Sequence, residues 1–214
     1  MKQTLLLLLV VFIFIACTDD TPVYAPIEED EVIQVDSSIQ GRLNNGESPL
    51  DIYAENNTNL DSLYGKIYAG GFIFYFDESD GSGMVADLND LSGLYNWGCE
   101  GIRVGGTYPY LGTGATNTEQ IASECSVNSI AAKACLSSEA QGYTDWFLPS
   151  MDELDEMHTN LSQRDLGNFK LYVYWSSTEK DKNYAYKQLF NLNKNIGYYD
   201  KDLIKYAVRA ARTF

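Results

Sequence analysis

The order of apolar and polar positions divides the chain into stretches of different character. Residues 5–16 form an unbroken apolar run, closed by Cys17 and the charged Asp19-Asp20. Crossing a bilayer takes about 20 apolar residues, so this run is too short to remain as an anchor. From residue 18 to 63 apolar positions are sparse and follow no sustained period, apart from a short β-like pattern at Val32-Ile33-Gln34-Val35. That stretch predicts an acidic, flexible stalk. Regular patterning begins near Tyr64. Aromatic and branched residues over 67–76, a polar break at 77–83 and renewed apolar positions at Met84-Val85-Ala86 predict a β-hairpin. The break resembles a calcium loop in passing, but Gly81 stands where a third oxygen ligand is needed, and an ordinary turn is the better reading.

The middle of the chain changes to helical signals. Thr116-x-x-Glu119 and Ser150-x-x-Glu153 both fit a capping box, in which hydroxyl and carboxylate satisfy orphan N–H groups reciprocally. The second leads into Leu154, Met157 and Leu161, an i, i+3, i+7 stripe that should face a core. Between them residues 130–140 predict another helix, closed by Gly142. After Gly167 the pattern becomes strand-like at 171–175, 184–192, 196–199 and 206–212, with polar turns between. A strand pair, then helices, then a strand-rich end predict an α+β domain with an antiparallel C-terminal half, not a parallel βαβ fold.

Composition adds a compartment. One lysine, the apolar run and Ala16 directly before Cys17 resemble the lipobox of bacterial lipoproteins, which implies export, cleavage after residue 16 and acylation at Cys17. The chain is then expected at the bacterial cell envelope, held by lipid at the outer membrane; Asp19-Asp20 resemble a surface-export signal, which implies an outward-facing anchor. The formal net charge of −15 argues against nucleic acid as a partner. Of the remaining cysteines, Ala131, Ala132 and Cys135 fall on one helical face, so Cys135 should be a buried thiol and Cys99 should bridge to Cys125. A Cys125–Cys135 bridge is the alternative. The cysteine spacings contain no CxxC pair and the sole histidine, His158, is distant, so no metal or other cofactor is expected.

Several motifs taken in order carry a family likeness: Gly70-Gly71-Phe72-Ile73-Phe74-Tyr75, Trp97-Gly98-Cys99, Gly112-Thr113-Gly114-Ala115, Ala131-Ala132-x-x-Cys135, Asp145-Trp146-x-Leu148-Pro149-Ser150, Tyr174-Trp175-Ser176-Ser177-Thr178-Glu179 and Val208-Arg209-Ala210-x-Arg212. Together they resemble the Lcl C-terminal domain, named after a Legionella collagen-like adhesin. The resemblance implies a C-type-lectin-like fold over residues 64–214, related in outline to the formylglycine-generating enzyme. It also implies binding of sulfated glycosaminoglycans through basic surface and trimer formation, whereas this chain is acidic and has no Gly-x-y run.

Candidate chemistry follows from these motifs. Trp175, Ser176, Ser177 and Glu179, with Tyr184 and Tyr186, offer aromatic faces, hydroxyls and a carboxylate, the groups that hold a sugar, although edge pairing and turn formation would use the same residues. Asp145, Trp146, Pro149, Ser150 and Glu153 read as a structural motif at a helix start. No enzymatic activity is expected: His158 lies beside an apolar stripe, and the cysteines match no copper pair. The domain organisation is therefore a leader over 1–16, a lipidated stalk over 17–63 and a lectin-like domain over 64–214. The expected role is recognition of a glycan or of an envelope or host protein in adhesion, with an accessory subunit of an envelope or fimbrial assembly as the alternative.

Overall fold

The structure, a computed structural model, describes residues 37–56, 59–191 and 195–214. The leader, Cys17 and residues 18–36 of the expected stalk lie outside the described residues. Among those described, no helix is long and apolar enough to cross a membrane.

Two helices come first, α1 (Ile39–Asn44) and α2 (Pro49–Asn56), followed by β1 (Ile67–Tyr68), β2 (Gly71–Phe76) and β3 (Gly83–Asp87). The middle holds α3 (Gly114–Glu124), α4 (Ala131–Leu136) and α5 (Met151–Asn160). The end holds β4 (Val173–Glu179), β5 (Tyr184–Leu189), β6 (Asn195–Asp200) and β7 (Ala211–Thr213). One sheet has the order β1-β2-β3-β7 and the other β4-β5-β6, with every strand pair antiparallel. The fold is α+β.

β2 and β3 are covered on both faces. In β2, Ile73 and Phe74 point to opposite sides of the pleat and both are buried, each in a different apolar cluster. The first cluster gathers Trp97, Trp146 and Trp175 with Ile121 and the Cys99–Cys125 disulfide. The second lies under α5, where the expected stripe of Leu154, Met157 and Leu161 meets Phe147, Tyr174 and Phe190. Cys135 is a buried free thiol in the first cluster.

The expected stalk ends too late. Residues 37–56 and 59–63 belong to the folded unit, because Leu43, Ile52 and Leu63 are buried in the first cluster. These side chains lie too far apart in sequence to give a period, yet each is delivered inward by a short helix or turn. Ser38 caps α1 by accepting from the Gly41 N–H at 3.0 Å. The Gln40 carboxamide then docks on β1, donating to the Ile67 carbonyl at 2.9 Å and accepting from its N–H at 2.8 Å.

Three further expectations shift. The segment predicted as one strand over 67–76 folds back at Ala69-Gly70, both at positive φ, to give β1 and β2. The helix predicted over 130–140 stops at Leu136 and is followed by a separate 3-10 turn, Ala140–Gly142. Of the strand predicted over 206–212 only Ala211 and Arg212 lie in β7, while Tyr206 and Ala207 make isolated bridges to Tyr95 and Tyr174.

Candidate functional site

The segment expected to touch ligand is interior. Trp175, Ser176 and Ser177 are fully buried. The Trp175 indole donates to the Tyr95 carbonyl at 2.8 Å and meets the Tyr206 ring edge-on at 4.7 Å, so neither of its faces is open to a sugar. Ser176 donates to the Tyr186 carbonyl at 3.0 Å, and Ser177 accepts from Asn117 at 3.1 Å. The physical reason is cover on β4: its outer edge is bridged by Ala207 and Pro149, which closes the strand off from solvent.

Glu179 is committed as well. Its carboxylate accepts from the Val104 and Gly105 N–H groups at 2.8 and 2.9 Å and from the Lys201 ammonium at 2.6 Å. Lys201 is itself buried, donates to the Ile102 carbonyl at 3.1 Å and sits over the Trp97 ring. This pair pins the long loop between β3 and α3. Tyr184 is exposed at the start of β5, while Tyr186 is half-buried against the second cluster; both rings meet Tyr198 edge-on. Tyr186 also lines a cavity of about 390 Å³ with Thr107, Met151 and Thr178.

The helix-start motif is structural. Ser150 and Glu153 form the expected capping box, Ser150 N–H to carboxylate at 2.7 Å and Glu153 N–H to hydroxyl at 3.3 Å. The other Glu153 oxygen accepts from Gly112 and Gly114 at 2.9 and 3.1 Å, which makes it the cap of α3 as well. The box expected at Thr116 is therefore absent: α3 begins at Gly114, and its first N–H groups are served from α5. Burial pushes the Glu153 carboxyl up, against the backbone N–H bonds that pull it down. Trp146 is buried and donates to Ala140; Pro149 is buried beside it. Asp145, expected to accept from the turn backbone, instead receives the Arg212 guanidinium in two bonds at 2.7 and 2.8 Å, and that partner holds its carboxyl below the usual range.

A larger hollow lies elsewhere. A groove of about 700 Å³ runs between the loop 90–94, the segment 170–173 that leads into β4, Leu189 at the end of β5, and residues 205–207. Its rim exposes Leu171 (79%), Leu94 (52%) and Tyr172 (46%), and its wall includes Tyr206, behind which Trp175 stands. Lys170 and Lys205 flank it; Lys170 reaches over the Tyr172 ring at 5.4 Å, and neither lysine has an ion-pair partner among the described residues.

Beneath the groove a buried hub fixes both walls. Arg209 donates to Asp90 at 2.8 Å, to the Asp87 carbonyl at 3.0 Å and to the Gly167 carbonyl at 2.7 Å, while its guanidinium lies over the Phe169 ring. The Tyr174 hydroxyl donates to the second Asp90 oxygen at 3.1 Å and accepts from the Lys170 N–H at 3.2 Å. Burial, with Asp90 beside it, pushes the Tyr174 phenol well above its ordinary value. Asp90 thus ties the loop after β3 to Tyr174 of β4 and to Arg209, and these two hold the segment before β4 through Lys170 and Gly167. Sequence reasoning missed this groove; the signal was Lys170-Leu171-Tyr172, an exposed apolar pair next to a cation.

His158 is sealed in the second cluster's neighbourhood, its ring 5.0 Å from Phe190 and its Nε2 donating to the Asn191 carbonyl at 2.8 Å. Among the described residues no three His, Cys, Asp or Glu side chains are grouped as a metal site.

No family model and no curated protein matches the chain. Among solved structures, a fimbrial protein from Bacteroides ovatus aligns over 60% of this chain at 15% identity with a TM-score of 0.45. The alignment covers 35% of that protein's chain, and a likeness at this level carries no functional argument.

Proposed function

We propose that the chain is a lipid-anchored protein of the bacterial envelope whose folded domain recognises an acidic glycan in the groove between residues 90–94, 170–173 and 205–207. The observation that carries this reading is the composition of that groove: two tyrosine rings and four leucines beside two lysines without ion-pair partners among the described residues, its one carboxylate, Asp90, being taken up by Arg209 and Tyr174, on a chain whose net charge is −15. The apolar C–H faces of a sugar ring pack against tyrosine, and carboxylate or sulfate groups pair with ammonium. The buried Arg209–Asp90–Tyr174 hub supports recognition by holding the walls in place before a ligand arrives. The motif likeness to the Lcl C-terminal domain, with the lectin-like fold it implies, supports a recognition role.

The test is a glycan array probed with the mature, full chain. Acidic glycans should be retained, with retention falling as salt is raised, and the double variant Lys170→Ala/Lys205→Ala should lose at least about tenfold in affinity, or ~1.4 kcal/mol. Both lysines are exposed, so the variant should melt at the unchanged temperature. Retention of neutral glycans alone, or undiminished binding by the variant, overturns the proposal. Silence across the array leaves the accessory-subunit reading in its place.

A further inference from the structure

Each sheet has two edges, and three of the four edges are covered. The Gln40 carboxamide pairs with β1 as a neighbouring strand would. Phe147 exchanges two backbone bonds with Ala211 at 2.8 and 2.9 Å and closes β7. Ala207 and Pro149 bond to Val173, Trp175 and Ser177 and close β4. β6 has no such cover among the described residues.

The register says which groups β6 leaves open. Lys201 donates to the Asn183 carbonyl at 3.0 Å, and pairing then continues without a bulge through Ala185↔Tyr199, Lys187↔Gly197 and Leu189↔Asn195. In an antiparallel ladder, bonded pairs alternate with non-bonded ones. Ile196, Tyr198 and Asp200 therefore turn their N–H and C=O groups outward. The opposite strand agrees, since the Tyr184 carbonyl accepts from Lys180 on the β4 side. β6 has six residues and no proline, and its Ile196 and Tyr198 side chains are exposed. Such an edge is a template for another strand.

Charge selects the occupant. On one face the Lys180 ammonium lies over the Tyr198 ring. On the other, the Lys187 chain runs beside Gly197, its Nζ 3.4 Å from where a Cβ on that glycine would stand. Asp181, next to Lys180, uses its carboxylate on the Asn183 and Tyr184 N–H groups. Self-pairing of β6 about a dyad at Tyr198 would bring Lys180 towards its own copy, and a dyad at Gly197 would do the same to Lys187, so like charges oppose a second copy in the two registers centred on the strand. We infer that β6 accepts an extended segment of another protein, with two consecutive acidic residues at its centre flanked by β-forming residues. Consecutive residues of a strand point to opposite faces, so one carboxylate would meet Lys180 and the next Lys187.

The test uses the mature, full chain and a short synthetic peptide with two central glutamates flanked by alternating valine and threonine. Hydrogen exchange at the Ile196, Tyr198 and Asp200 amides should slow at least tenfold at saturating peptide, about 1.4 kcal/mol of protection. The same peptide with central lysines should give no protection. Lys180→Glu/Lys187→Glu should reverse this preference. Ile196→Pro should abolish binding while leaving the melting temperature near that of the parent, because the lost N–H points outward and the side chain is exposed. Unchanged exchange at these amides, equal protection by both peptides, or protection that appears with protein concentration alone overturns the inference, the last by assigning the edge to a second copy.

Discussion

Glu153 closes two helices with one carboxylate. It completes the capping box of α5 and accepts the Gly112 and Gly114 N–H groups at the start of α3. Glu153→Ala would leave three backbone donors without this acceptor, and two of them, at Gly114 and Ser150, are in an interior where each unsatisfied group costs about 1–3 kcal/mol. The expected loss is ~3 kcal/mol or more, read from denaturant midpoints. Gly114 belongs to the same unit, since a Cβ there would collide with this carboxylate and with the Phe147 ring. Cys135 offers a second check at this scale. Burial raises its thiol far above the ordinary range, so a thiol-specific alkylating reagent should leave it unmodified in the native protein and label it only after unfolding. For Asp145 the sign runs the other way. Arg212 depresses its carboxyl, so its contribution is complete above the ordinary aspartate value of about 3.9 and is lost as pH falls through the lower folded value. With the side chain 54% exposed, solvent screens the pair; Asp145→Asn should flatten the acid limb of the melting curve only slightly.

Among the elements, α1 and α2 carry the clearest prediction. Leu43, Ile52 and Leu63 are buried, and full burial of such a side chain contributes about 1.5–3 kcal/mol. A chain cut to begin at Lys66 should lose ~5 kcal/mol, a large part of the 5–15 kcal/mol typical of a domain, and should unfold with a broadened thermal transition. Elements with a strong local signature were legible in the sequence. The Ser150 capping box, the Leu154–Met157–Leu161 stripe, the 71–76/83–87 hairpin and the inward face of Ala131, Ala132 and Cys135 all follow from period or spacing. What was not legible depends on partners distant in sequence. α3 is capped by a residue of α5, β1 is capped by a glutamine of α1, and α1 and α2 have too few apolar positions to show a period. The candidate site failed for the same reason. Trp175 and its serines have the residue types of a sugar site, but the cover supplied by Pro149 and Ala207 makes them interior, and the groove is assembled from segments that lie far apart in the chain.

For the whole molecule, the disulfide and the charge set the terms. Cys99–Cys125 closes a loop of 26 residues in sequence separation, worth ~3.5 kcal/mol by loop-closure entropy, so reduction should lower the melting temperature clearly without exposing Cys135 at ambient temperature. A disulfide suits the oxidising compartment that the proposed lipid anchor at Cys17 implies. A formal charge of −15 repels polyanions in general, so an acidic ligand can be held only where the field is locally reversed. The groove rim, with Lys170 and Lys205, is such a place, and its walls share one buried hub. The most direct test is a hydrogen-exchange map of the mature protein with and without a sulfated or uronic-acid oligosaccharide. The account predicts slowed exchange confined to residues 90–94, 170–173 and 205–207, fading as salt is raised. No change at those residues, with protection elsewhere or nowhere, would contradict it.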